Sequence, residues 1–128
     1  MNIKHTKIVS FTDLTTWKVG HTLVVTLYKI TKTFPREELY GLVDQMRRSG
    51  VSITSNIAEG FGRHGFKEKV QFFYLAQGSL TELKNQLLIA KDVGYLNDTD
   101  FHVLSDLANQ THQLLYGLIR KSKERISK

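Results

Sequence analysis

The sequence predicts an all-α fold, an antiparallel up-down-up-down four-helix bundle that forms a single domain over residues 1–128. Four long segments carry apolar residues at steps of three and four, which is the helical period. Short segments rich in turn-forming residues separate them, and no run alternates apolar and polar residues as a half-buried strand does. Because the connections are short, consecutive helices are expected to pack antiparallel. The helices are placed at about residues 11–34, 36–63, 66–94 and 98–125.

The first helix is predicted to begin with a capping box and to end before the only proline of the chain. Asp13 follows Ser10 by three residues, so each side chain can accept a hydrogen bond from the other residue's backbone N–H group. Phe34 is expected to end the helix because proline pushes the preceding residue out of the helical region. Pro35 can then open the second helix, where its missing N–H group costs nothing. The apolar positions of the first helix are Leu14, Trp17, Val24, Leu27, Tyr28 and Phe34.

Glycines mark both the interior and the end of the second helix. Gly60, Gly62 and Gly65 follow one another closely and are predicted to end it. Gly41 and Gly50 lie inside the predicted helix, where each costs about 1 kcal/mol relative to alanine. We therefore expect a neighbouring helix to pack closely at these two positions. The apolar positions are Leu42, Met46, Ile53 and Ile57.

The third and fourth helices carry the clearest signals. In the third helix, apolar residues alternate steps of three and four, as in a bundle with knobs-into-holes packing, at Phe73, Ala76, Leu80, Leu83, Leu87 and Ala90. Gly94 is predicted to cap this helix at its C-terminus, and Asn97 to cap the fourth helix at its N-terminus. The fourth helix is predicted to bury Phe101, Leu104, Leu107 or Ala108, Thr111, Leu115 and Leu118.

Composition and spacing exclude several classes of protein. The chain has no cysteine, which excludes disulfide scaffolds, thiolate zinc sites, iron–sulfur clusters and cysteine nucleophiles. No signal peptide and no apolar run of the roughly 18 residues needed to span a membrane is recognisable, so we expect a soluble cytoplasmic protein with no membrane partner. The five histidines lack the spacing of a metal site. We therefore expect no metal, no cofactor, no catalytic residue and no enzymatic activity.

The charge balance is typical of a protein that can bind nucleic acid. The formal net charge is +6, and Arg120–Lys128 contains five cations and one carboxylate. Such a terminus either complements the dipole of the last helix and aids solubility, or forms an arm that binds phosphates. The candidate phosphate contacts are Arg47, Arg48, Arg63 and Lys67 around the second helix, and Lys121, Lys123 and Arg125 in the tail.

A second, polar stripe runs along the second helix beside the apolar one, and a similar stripe follows the third helix. Small and amide-bearing residues occupy positions at which a solvent-exposed face would normally carry lysine and glutamate, which favours a buried network or a subunit interface. The alternative is that the stripes are exposed to solvent. The candidate network or interface residues are Gln45, Ser52, Asn56, Glu59, Gly78 and Glu82. If the second and third helices are antiparallel about the Gly60–Gly65 turn, residues equally distant from the turn lie at the same level of the bundle. This places Glu82 near Arg47 and Arg48, so we expect Glu82 to form an ion pair with one of them.

Two groups of aromatic residues leave alternatives open. Phe72, Phe73 and Tyr74 are consecutive, so at least one of them is expected to lie outside the core. Phe61 and Phe66 lie near basic residues of the second connection. They either offer a surface on which single-stranded nucleic acid stacks, or close the end of the bundle.

The sequence resembles the four-helix-bundle protein family also called the 23S rRNA-intervening sequence protein family. The strings FPREELYGLVDQMRRSGVSITSNIAEGFGR and FYLAQGSLTELKNQLLIAKDVGYL carry the resemblance. The most specific motifs are Gln45–Arg48, Ser52-Ile53, Asn56–Gly60, Gly62-Arg63, Gly78-Ser79 and Glu82-Leu83. The similarity covers about residues 11–95, and the fourth helix matches in pattern only.

The resemblance implies a bundle that assembles into a homopentameric ring and is not an enzyme. Members of the family are known from reading frames inside intervening sequences of large ribosomal RNA genes. Related bundles assist the reverse transcriptases of diversity-generating retroelements, which implies RNA, DNA or such a polymerase as partners. The leading hypothesis is therefore a non-enzymatic oligomeric scaffold that binds nucleic acid weakly and without sequence specificity. The alternative is a protein–protein interaction module with no nucleic-acid role.

Overall fold

The computed structural model describes residues 7–126, and this part of the chain consists of helices and connections without strands. The four α-helices are α1 (Thr15–Thr31), α2 (Leu42–Gly62), α3 (Phe66–Asp92) and α4 (Asp98–Ile126). Short 3-10 turns precede α1 at Phe11–Asp13 and α2 at Arg36–Glu38.

Each helix packs against two neighbours. α2 and α4 both contact α1 and α3, whereas the diagonal pairs share no close backbone contact within residues 7–126. Paired side chains show that α2 and α3 run in opposite directions, because Ser49 lies against Glu82 and Ser52 lies against Ser79. The all-α four-helix bundle that the sequence predicts is confirmed.

The core lies between the four helices and contains most of the predicted apolar positions. All six predicted positions of α3 are at most 2% exposed, and Met46, Ile53 and Ile57 of α2 are fully buried. In α4, Ala108 occupies the core and Leu107 is only partly buried. In α1 the prediction was wrong at one position, because Tyr28 is exposed and Leu23 is fully buried. Thr16, Gly20 and Thr31 complete the buried face of α1. Because these three residues are not strongly apolar, the buried face of α1 cannot be recognised from hydropathy alone.

The first two helices begin later than the sequence predicted. Ser10 and Asp13 form the expected capping box, but it caps the 3-10 turn, because Leu14 is extended and α1 begins at Thr15. Pro35 likewise opens a 3-10 turn, and α2 begins only at Leu42. The Leu42 N–H group donates to the Glu38 carboxylate at 3.1 Å, so a side chain from the turn caps α2.

The connection between α3 and α4 follows the sequence prediction. Gly94 adopts a φ of 88°, in the left-handed region that favours glycine. The N–H groups of Gly94 and Tyr95 donate to the carbonyls of Lys91 and Ala90, which is the Schellman arrangement for ending a helix. The Asn97 side chain then accepts from the Asp100 N–H group at 2.7 Å and caps α4.

The glycine at position 50 marks a close contact between α1 and α2, as expected. A Cβ atom added at Gly50 would lie 3.2 Å from Leu27 Cδ2 and 3.5 Å from Val24 Cγ2. Gly41, in contrast, is the residue that precedes α2 and does not lie inside the helix. The close-packing prediction therefore holds at position 50, whereas Gly41 belongs to the turn.

Candidate nucleic-acid interface

The α2–α3 connection and the C-terminal turns of α4 lie at the same end of the bundle. Arg125 of α4 lies over the ring of Phe66, and Lys123 donates to the Tyr74 hydroxyl at 2.9 Å. We define the basic end as the lysine, arginine and glutamate side chains of these segments and of the last turn of α2: Arg63, Lys67, Lys69, Arg120, Lys121, Lys123 and Arg125, with Glu59, Glu68 and Glu124. Seven cations against three carboxylates account for most of the formal net charge of +6. The predicted tail residues and Lys67 are therefore brought together, whereas Lys128 lies outside the described residues.

Aromatic rings hold several of these cations at the surface. The Lys123 Nζ atom lies 5.6 Å from the Tyr74 ring centroid, and the Arg125 guanidinium lies 5.6 Å from that of Phe66. The negative face of an aromatic ring attracts a cation at such distances. The hydrogen bond to Tyr74 also raises the pKa of Lys123, so this lysine is charged at neutral pH. Lys67 and Lys121 are exposed beside them.

Lys69 is turned toward the carboxyl end of α2. Its ammonium group donates to the Phe61 carbonyl at 2.6 Å and to the Gly60 carbonyl at 3.3 Å. Burial lowers the pKa of this lysine. A cation at the C-terminus of a helix is stabilising because the last carbonyls have no partner within the helix. Sequence reasoning missed this role because it depends on the sharp turn between α2 and α3.

Arg63 is held in place by its neighbours. Its guanidinium pairs with Glu59 at 3.1 Å and with Glu68 at 3.6 Å, and it lies 4.5 Å from the Phe72 ring centroid. Its Nε atom is buried without a hydrogen-bond partner among residues 7–126. Two carboxylates therefore offset the charge of this predicted phosphate contact.

Arg47 and Arg48 lie on α2 away from the basic end. Arg47 donates to the Thr31 hydroxyl at 3.1 Å and to the Tyr28 carbonyl at 3.3 Å, so it reaches the carboxyl end of α1. Arg48 pairs with Asp44 on its own helix at 3.0 Å and is largely exposed. The two arginines are therefore not brought together with Lys121, Lys123 or Arg125.

The polar stripe of α2 forms hydrogen bonds across its contact with α3. Ser49 donates to Glu82 at 2.7 Å, and the hydroxyls of Ser52 and Ser79 are 2.8 Å apart. Asn56 joins this group by donating to the backbone carbonyl and hydroxyl of Ser52.

Three other candidates for the network lie elsewhere. Gln45 and Gly78 are exposed, and Glu59 pairs with Arg63. The expected ion pair between Glu82 and Arg47 or Arg48 was wrong. The helix register places Ser49 opposite Glu82 and turns both arginines toward other partners.

Aromatic residues divide into a buried and an exposed group. Phe73 is in the core, Phe72 lies under Arg63, and Tyr74 is 44% exposed, as expected for three consecutive residues of a helix. Phe61 and Phe66 line an apolar cavity of about 370 Å³ together with Phe73 of the core and the partly buried Leu14 and Leu118, an arrangement that favours closure of the bundle end.

Sequence reasoning missed an exposed cleft between α3 and α4, with a volume of about 510 Å³. Tyr74 lines it from α3, and Tyr116, Arg120 and Lys123 line it from α4. The spacing of four and three residues places the α4 side chains on one face of the helix, and this was the signal available in the sequence.

Within residues 7–126, no group of three histidine, aspartate or glutamate side chains is arranged to hold a metal ion. No helix of that part of the chain is long and apolar enough to cross a membrane.

Comparison with known proteins identifies the family. The 23S rRNA-intervening sequence protein family matches residues 12–117, which includes most of α4. The chain belongs to this family. The resemblance that the motifs of α2 and α3 indicated is confirmed, and it extends beyond residue 95. The basic tail, Arg120–Lys128, follows the matched region.

A solved structure has the same fold. It is described as a protein of unknown function from the S23 ribosomal protein family of Bacteroides thetaiotaomicron. It is 18% identical to this member of the 23S rRNA-intervening sequence family, with a TM-score of 0.76. The match covers 82% of this chain and 95% of that chain. None of the curated proteins matches the sequence.

Proposed function

We propose that this protein is a non-enzymatic homo-oligomer that binds RNA or DNA weakly and without sequence specificity, as an accessory or scaffold protein. The observation that carries the proposal is the meeting of the α4 tail with the start of α3, which concentrates cations at the basic end. The name of the family, which refers to 23S rRNA, is consistent with a nucleic-acid partner.

Electrostatic attraction to phosphates accounts for weak binding without sequence preference. Lys67, Lys121, Lys123 and Arg125 are exposed and belong to two adjacent helices. Cations that contact phosphates supply affinity but do not read the bases. Among the helices of residues 7–126, none has the arginine, asparagine and glutamine spacing of a base-reading helix.

An exposed stripe on α3 supports self-association. Leu75 is 56% exposed and Ile89 is 44% exposed, and Gly78, Glu82 and Asn85 lie between them at helical spacing. A glycine flanked by exposed apolar residues suits close packing between helices. A stable interface of this kind buries about 1,200 Å² or more in total. In the homopentamer that the family resemblance implies, five basic ends would act together and raise avidity.

The same exposed stripe favours a second candidate function, a protein–protein interaction module. In that case Leu75 and Ile89 contact a different protein, such as a reverse transcriptase, and the charge is incidental. The two candidates differ in whether nucleic acid is bound at low salt.

A binding assay with charge-matched variants tests the proposal. In one variant Lys121, Lys123 and Arg125 are replaced by glutamine, and in the control Lys29, Lys32 and Arg36, at the opposite end, are replaced. Fluorescence anisotropy with a labelled RNA or DNA strand at about 50 mM salt, where screening is weak, compares them. We expect the tail variant to lose most of its affinity and the control to retain it.

Light scattering coupled to gel filtration measures the assembly in the same preparation. The proposal predicts a mass several times that of one 14.7 kDa chain. An oligomer that binds no strand at low salt would contradict the nucleic-acid role and favour the interaction module. A monomer mass at micromolar concentration would contradict self-association.

A further inference from the structure

The cleft between α3 and α4 combines exposed aromatic rings with cations. Tyr116 is 64% exposed and Tyr74 is 44% exposed, and both line the same cavity of about 510 Å³. Arg120 follows Tyr116 by one helical turn, and its side chain makes no hydrogen bond or ion pair within residues 7–126. Lys123, one turn further, fixes the Tyr74 hydroxyl. We term this group of four residues the tyrosine cleft.

We propose that the tyrosine cleft binds single-stranded nucleic acid by stacking an unpaired base on Tyr116 and Tyr74, while Arg120 and Lys123 contact the adjoining phosphates. This inference rests on the proposed function and specifies which strand form is bound and where. Stacking on an aromatic ring tolerates any base, because every base has a π-face. Bases inside a duplex are already stacked and paired, so the cleft selects single strands.

The surroundings of Tyr116 distinguish it from the phenylalanines of the second connection. Phe61 and Phe66 line the apolar cavity of about 370 Å³, and Lys69 and Arg125 lie near their rings. Tyr116 is in contact with no other aromatic ring of the described chain. A base therefore reaches Tyr116 without displacing a residue of the protein.

The charges around the cleft favour an anionic strand. Arg120 and Lys123 line it together with one carboxylate, Glu124. Lys121 and Arg125 lie on the same terminal turns of α4, so cations outnumber carboxylates there. The cleft shares Arg120 and Lys123 with the basic end, so a strand bound in the cleft lies close to the other cations there.

Comparing the affinities of strands that carry the same phosphates but differ in their bases distinguishes the contribution of stacking from that of phosphate contacts. The probes are labelled oligouridylate and oligothymidylate of about 12 nucleotides, together with an abasic strand and a duplex of the same length. The expected result is that the wild-type protein binds both base-carrying strands about tenfold more tightly than the abasic strand of the same charge, and that the tyrosine rings add nothing to the affinity for the duplex. The two base-carrying strands show whether RNA and DNA are both bound.

Variants at exposed tyrosines show which side chain is responsible for the preference for base-carrying strands. Tyr116→Leu is expected to abolish most of the tenfold preference without changing affinity for the abasic strand, whereas Tyr116→Phe keeps the ring and the preference. Tyr40→Leu is the control, because Tyr40 is 90% exposed and lies outside the cleft. Circular dichroism verifies that each variant is folded.

The outcomes distinguish this inference from the proposed function. Equal binding of abasic and base-carrying strands, or an unchanged preference in Tyr116→Leu, overturns the tyrosine cleft and leaves electrostatic binding standing. Absence of binding to every strand at about 50 mM salt overturns both.

Discussion

Replacing Gly60 with alanine tests how closely α2 and α3 pack beside the basic end. A Cβ atom at position 60 would lie 2.5 Å from Cε1 and 2.9 Å from Cδ1 of Phe73, and 3.1 Å from the Phe72 Cβ atom. Carbon atoms pack best at about 3.5–4.0 Å. Phe73 is 2% exposed and surrounded by the core, so its ring cannot swing into solvent. The helices therefore have to move apart or the ring has to leave its preferred rotamer.

Two opposing effects determine how much Gly60→Ala changes the free energy of unfolding. Overpacking of a core costs about 1–3 kcal/mol, and a contact as short as 2.5 Å with the buried Phe73 ring places Gly60→Ala in the upper half of that range, at about 2–3 kcal/mol. Alanine offsets part of this, because it stabilises a helix by about 1 kcal/mol relative to glycine. We expect a net loss of about 1–2 kcal/mol in the free energy of unfolding, which lowers Tm by about 3–10 °C in a domain of this size.

Urea and thermal denaturation followed by circular dichroism measure the effect against Gly62→Ala. A Cβ atom at position 62 would meet no atom within 4 Å, so the control is expected to be as stable as the wild type or more stable by up to about 1 kcal/mol. If Gly60→Ala were as stable as the control, the close approach of α2 to Phe73 would be refuted.

Three further predictions concern the network, a histidine and the exposed stripe. Ser49→Ala removes the hydrogen bond to Glu82 and is expected to cost about 1 kcal/mol in urea denaturation; a more stable variant would contradict this. Burial, and to a lesser extent Lys84, lowers the pKa of His112 below 6.5. The unfolded chain then binds more protons below about pH 6.5, so stability falls as the pH drops through this value towards the lowered pKa. His112→Gln is expected to reduce that fall between pH values of about 7.5 and 5.5, and an unchanged pH dependence would argue against it. A Cβ atom added at Gly78 would meet no atom within 4 Å, so Gly78→Arg is expected to leave the subunit folded but reduce the mass in light scattering; an unchanged mass would show that this part of α3 is not the interface.

Local sequence signals were sufficient where the structure is determined by nearby residues. The six core positions of α3 are strongly apolar and regularly spaced, and all are buried. Gly94 and Asn97 end one helix and start the next through hydrogen bonds that span only a few residues. Such signals can be recognised without knowledge of the tertiary structure.

Contacts between residues far apart in the sequence account for the predictions that the structure contradicts. The start of α2 depends on Glu38, whose second carboxylate oxygen accepts a hydrogen bond from Tyr95, 57 residues away. Counting residues from a turn gives the level of Glu82 along the bundle but not the direction in which Arg47 and Arg48 point. Both arginines therefore have other partners.

The positive charge of the candidate site could be predicted from the sequence, whereas most of its geometry could not. The tail cations from Arg120 to Arg125 and Lys67 could be identified from composition, and the structure places them at one end. Tyr74 and Tyr116 are 42 positions apart in the sequence, so only the packing of α3 against α4 shows that they line one cleft. The roles of Lys69 and Arg63 likewise depend on the turn between α2 and α3.

The salt dependence of binding to a single strand tests most directly whether the basic end contacts phosphates. The logarithm of the association constant is expected to fall linearly with the logarithm of salt concentration, with a slope of about −0.7 for each phosphate contacted. If Lys121, Lys123 and Arg125 each contact one phosphate, replacing all three with glutamine makes the slope less negative by about 2 for each basic end engaged. The charge-matched variant with Lys29, Lys32 and Arg36 replaced is expected to keep the wild-type slope. Equal slopes in the two variants would contradict the account.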